Sequence, residues 1–110
     1  MNQRDLLLVP FPFSDQKGGK VRPVVVISND EFNENSEDIL VAGVTSNVSK
    51  GRYAIILTRK DLEEGKLFTN CSIKCENVLK IDKEIVIKKI GKIKKEKLDL
   101  AINKILEIIR

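Results

Sequence analysis

The chain has 110 residues, 42% of them hydrophobic and 33% charged, a balance that fits one globular domain over residues 1–110 and excludes a disordered polymer. Net charge is +4 and there is no histidine, which removes Ser-His-Asp and Cys-His catalysis and histidine-based metal sites from consideration. No apolar run approaches the ~20 residues of a membrane span, and the first residues do not resemble a secretion signal, so a cytoplasmic protein is expected.

Taken in order, Asp5 to Pro10 form a short apolar strand. Phe11 and Phe13 flank Pro12 and either anchor the base of the next loop or enter the core. Asp15 to Gly19 form a flexible loop ending in two glycines. The strand that follows, Val21 to Asn29, is apolar apart from Arg22 and Pro23. Pro23 forces the preceding residue into extended geometry and removes a ladder donor. Arg22 is therefore an arginine on a stiff support beside a loose loop, an arrangement suited to gripping an anion.

Asp30 to Asp38 read as an acidic connection anchored by Phe32. Residues 39–47 form a third strand, with small Ala42 and Gly43 inside it and Thr45, Ser46 and Asn47 at its end. Residues 53–57 form a fourth. Thr58, with Asp61 three residues on, predicts a helix of roughly two turns stopped by Gly65. A fifth strand covers Ser72 to Ile81, a turn follows at Asp82-Lys83, and Lys88 to Ile93 form a last strand. Leu98, Ala101, Ile102, Ile105 and Ile109 then repeat at helical spacing over 95–109, while Leu100 and Ile108 give that helix a second apolar surface. Many short strands and one closing helix predict a mainly β (α+β) fold, a small coiled barrel with helical insertions.

Cys71 and Cys75, if on one strand, lie ~13 Å apart, too far for a disulfide, so both are expected as reduced, partly buried thiols. Residues 80–97 carry eight lysines against three acids, whereas 30–38 carry five acids and no base. The lysine run is read as a solvated face. No phosphate-cradling GxxxxGK[ST] or GxGxxG motif is present. What remains is a set of cations and hydroxyls suited to phosphates and base edges: Arg22, Thr45, Ser46, Asn47, Lys50, Arg52, Ser72 and Lys74.

Three segments together resemble the MazF/PemK family of bacterial toxins: Leu7 to Asp15, Gly18 to Asp30 with its Gly-Gly-x-Val-Arg-Pro-Val core, and Val41 to Asn47. Ile81-Asp82-Lys83 and the final helix extend the similarity over nearly the whole chain. The resemblance implies an SH3-like barrel of the MazF/PemK/CcdB type that dimerises, cuts single-stranded mRNA without a metal or other cofactor, and is held in check by an antitoxin protein. It places the catalytic pair on Arg22 and Thr45 and a mobile flap on residues 14–20. Phe13, Ser14, Lys17, Gly18, Gly19 and Lys20, together with Ser46, Asn47, Lys50, Arg52, Ser72 and Lys74, would then line an RNA groove. Phe13 serves there as a stacking residue or is buried as core. Two departures stand out. Arg4 occupies a position where many relatives have glycine, and Leu79 lies nearest to where many have an arginine. Two other functions fit the same barrel: a non-catalytic toxin binding a protein such as DNA gyrase, and a nucleic-acid-binding module without catalysis.

Overall fold

A computed structural model describes residues 1–11, 20–48, 51–67 and 69–110. The strands are β1 (Asp5–Phe11), β2 (Lys20–Val26), β3 (Asp38–Thr45), β4 (Ala54–Leu57), β5 (Leu62–Gly65), β6 (Cys71–Asp82) and β7 (Lys88–Ile93). The helices are α1 (Asp30–Asn35) and α2 (Lys95–Ile109). All strands join one antiparallel sheet in the order β4-β6-β3-β2-β1-β7-β5. The sheet curls into a half-barrel, as the small-barrel expectation requires.

The central strands are continuous apolar runs because both of their faces are covered. Leu6, Val25, Ala42 and Val44 point to one core, where Leu98 and Ala101 of α2 close over Ile55, Leu57 and Ile73. Leu7, Val9, Val24, Val26, Ile39 and Val41 point to the other, closed by Ile81, Leu79, Ile85 and Val86. The long β6 serves both cores: its first half pairs with β3 and β4, its second half with β3 alone. Cys71 and Cys75 are buried and reduced, as expected.

Two expected elements differ. The helix proposed after Thr58 is a single 3₁₀ turn, Arg59–Asp61, followed by β5. The capping signal is real, since Asp61 Oδ2 accepts from Thr58 N at 2.8 Å. The helix does not propagate because Leu62 pairs with Ile93 of β7, so tertiary pairing overrides local preference. The acidic connection contains α1, capped by Asn29 Oδ1 accepting from Phe32 N at 2.8 Å. Its anchor is Asn33, buried and donating to Ser28 O at 3.0 Å. Phe32, expected as that anchor, is exposed, and the one buried residue of α1 is Asn33, hydrogen-bonded to Ser28.

Candidate active site

Arg22 and Thr45 meet because of strand register. β2 and β3 pair from Val26↔Val41 back to Val24↔Gly43 and then part. Continuing that register by two residues sets Arg22 opposite Thr45. Pro23, which has no N–H to give, sits where β3 leaves β2. On its other side β2 stays fixed to β1, with Arg22 opposite Val9 and Pro23 opposite Leu8. The arginine backbone is thus held while its side chain faces an opening.

That opening is a cleft of about 250 Å³ lined by Phe11, Arg22, Thr45, Lys74 and Asn77 over a floor of Val24 and Gly43. The Arg22 guanidinium lies 5.6 Å from the centroid of the Phe11 ring, a cation–π contact that restrains the cation without neutralising it. Lys74 arrives from β6, directly opposite Gly43. Thr45 Oγ1 accepts from Asn47 N at 3.2 Å, which fixes the oxygen and leaves its hydrogen to donate outward. Among the described residues no carboxylate lines the cleft, where Arg22 and Lys74 both stand. Among the described residues no three His, Cys, Asp or Glu side chains converge on a point that could hold a metal ion.

The remaining expected site residues separate. Lys20 is exposed at the start of β2, opposite Phe11. Ser46 borders an apolar groove on the opposite face of the sheet, with Leu8, Pro23, Leu67 and Ile90. Asn47 is exposed in the turn after β3. Arg52 is exposed outside the cleft, its guanidinium 5.4 Å from the centroid of the Tyr53 ring. Ser72 does not line a groove: it is fully buried, paired with Thr45 on one side and Ile56 on the other. Ser72 and Lys74 share one face of β6, but Ser72 is covered by Thr45 and Ile56 on its two sides whereas Lys74 is flanked by the small Gly43 and Ala54. Phe13, Ser14, Lys17, Gly18, Gly19 and Lys50 lie outside the described residues, as does most of the expected flap.

Phe11 and Asn77 belong to the cleft and were not singled out as site residues. Phe11 carried a signal, an aromatic at the end of a strand entering a glycine loop. Asn77 carried none, since its place depends on a shift in strand register.

Comparison with known proteins gives a consistent result. A family model described as PemK-like, MazF-like toxin of type II toxin–antitoxin system matches residues 2–109. A curated relative named Endoribonuclease MazF, from Staphylococcus saprophyticus, is 31% identical over 86 residues, covering 76% of this chain and 69% of the relative. A MazE–MazF crystal structure from Deinococcus radiodurans superposes with a TM-score of 0.80 at 16% identity, covering 99% of this chain and 95% of that one. A mycobacterial endoribonuclease in complex with its cognate antitoxin gives 0.76 at 14% identity, over 98% of this chain and 96% of that one.

Proposed function

The chain belongs to the PemK-like, MazF-like toxins of type II toxin–antitoxin systems, and from that premise we propose that it is an endoribonuclease that cuts single-stranded RNA at the Arg22–Thr45 cleft without a metal. The observation that carries the reading is the convergence of a guanidinium, a hydroxyl and an ammonium on one cleft from three different strands.

RNA brings its own nucleophile, the 2′-OH beside each phosphate. Its oxygen attacks phosphorus and the bond from phosphorus to the 5′-oxygen breaks. The products are a 2′,3′-cyclic phosphate and a 5′-OH. The 2′ proton leaves to solvent, the departing 5′-oxygen gains one, and no water is consumed. The protein must hold the attacking and leaving oxygens in line and stabilise the charge that builds on the non-bridging oxygens. Arg22, permanently charged and able to donate two parallel bonds, suits those oxygens. Thr45 donates its hydroxyl to one of them, and Lys74 adds a point charge beside them. Phe11 keeps the guanidinium over the cleft between substrates. With no imidazole in the chain, Arg22 acts by electrostatic stabilisation rather than as a base.

The relative's name, Endoribonuclease MazF, and the antitoxin complexes among similar structures support this reading and its partners. The partners are an RNA message, a second copy of the chain, and an antitoxin whose acidic, apolar segment competes with RNA for the basic cleft. The cytoplasm, where messages are translated, is the compartment such a toxin requires.

The test is incubation of the purified protein with mixed-sequence RNA in EDTA. Discrete cuts ending in cyclic phosphate are expected, with Arg22→Ala and Thr45→Ala each slowing cleavage by about 10²–10³-fold. Cleavage that both variants retain would reassign the site. A folded protein that cuts no RNA would leave partner binding, as of gyrase, in its place.

A further inference from the structure

Between Ala42 and Gly43 the pairing of β3 with β6 changes register: Ala42 faces Val78, but Gly43 faces Lys74. Cys75, Glu76 and Asn77 therefore have no partner on β3. Bulges of this kind re-aim a side chain, and they gather beside active sites. Here Cys75 turns into the core, where it is buried, and its N–H reaches Tyr53 O at 3.1 Å. Asn77 is turned the other way, over β3 and into the cleft.

Gly43 is what lets it lie there. A Cβ at position 43 would stand 2.7 Å from Asn77 Nδ2 and 3.4 Å from its Cγ. The amide thus occupies space that any side chain at position 43 would need. Among the described residues no hydrogen bond engages the Asn77 amide, and Asn77 lines the cleft. Arg22, Lys74 and Thr45, in the same cleft, are assigned to the phosphate in the proposed reaction, and phosphate contacts carry no sequence information.

Resting on the endoribonuclease reading, we propose that Asn77 reads the nucleobase next to the scissile phosphate. It recognises an edge that presents a donor beside an acceptor, as adenine does. Bases of single-stranded RNA expose these edges, and a side-chain amide matches one in a two-bond contact. The bulge on β6 sets where the reader stands and Gly43 sets its tilt.

The experiment is cleavage of a random-sequence RNA pool by the full chain, with the cut ends sequenced, for the wild type, Asn77→Ala, Asn77→Asp and Gly43→Ala. Thermal melting confirms that each variant folds. Asn77→Ala is expected to flatten the preference at one position beside the cut by roughly tenfold or more. Asn77→Asp, a carboxylate that only accepts, is expected to move that preference toward guanine, which offers two adjacent donors. Gly43→Ala, which pushes the amide aside, is expected to weaken preference at the same position. Folded Asn77 variants that cut more slowly with an unchanged sequence profile would overturn the inference while leaving the ribonuclease reading intact. A wild-type protein that cuts nothing in the pool would overturn both.

Discussion

Arg4 shows how much a single backbone angle can reveal. Its φ is +80°, a region in which a Cβ is crowded and glycine is not. The strain is imposed by two sheets of bonds: Arg4 N donates to Val26 O and Arg4 O accepts from Ile93 N, both at 2.9 Å. In return the guanidinium pairs with Glu63 at 2.5 Å, but that pair is solvent-exposed and worth about 0–1 kcal/mol. Arg4→Gly is therefore expected to relieve about 1–2 kcal/mol of strain and lose less than that, raising the denaturant midpoint slightly. A clear drop would show that the ion pair outweighs the strain. Cys75 offers a second residue-scale test. Burial pushes its thiol up to about 11, above its value in the unfolded chain. The folded state thus disfavours the thiolate. Its contribution to stability is complete below about pH 9 and is lost as pH climbs toward 11, so the melting temperature should fall over that range. Cys75→Ser, with its hydroxyl neutral throughout, should show a shallower fall.

Among the elements, the short β5 explains why the stretch after Thr58 is not a helix. Gly65 has φ +83°, and a Cβ there would lie 2.2 Å from Ile90 O, inside the backbone of β7. The glycine that looked like a helix stop is a point of close strand approach. Gly65→Ala is expected to destabilise by upwards of about 2 kcal/mol, since it combines a disfavoured φ with a backbone clash. Urea unfolding would measure it; a change below about 0.5 kcal/mol would mean that β5 detaches at little cost. The edge also carries an ion cluster. Lys89 joins buried Asp5 at 3.4 Å and Glu64 at 2.9 Å, which holds the Glu64 carboxyl below its usual range and the Lys89 ammonium above its own. Part of the lysine run read as a solvated face thus ties β5 and β7 to β1.

For the molecule as a whole, the +4 charge matters less than the placing of two cations, Arg22 and Lys74, in one cleft. Binding to single-stranded RNA releases counterions with a slope of about −0.7 per neutralised phosphate. With an RNA whose 2′-OH at the cut is replaced by hydrogen, affinity is expected to fall linearly with log salt. Lys74→Ala should lower the slope by about 0.7. An unchanged slope would place Lys74 outside the phosphate path.

Read alone, the amino-acid sequence determined six of the seven strands, the closing helix over 95–109 and the reduced cysteines. Each of these rests on local pattern, apolar runs, helical spacing and the spacing of two cysteines along a strand, whereas the pair Arg22 and Thr45 was implied by the resemblance to the MazF/PemK family. Register between distant strands decided the rest. It brought Lys74 into the cleft between Gly43 and Ala54 and buried Ser72 two residues away between Thr45 and Ile56. It turned Gly65 from a helix stop into a strand contact, and it placed Asn77 over Gly43. A shift in pairing has no local signature, since it is settled by what both strands bury at once. The bulge on β6, and the amide it aims into the cleft, existed only in the folded sheet.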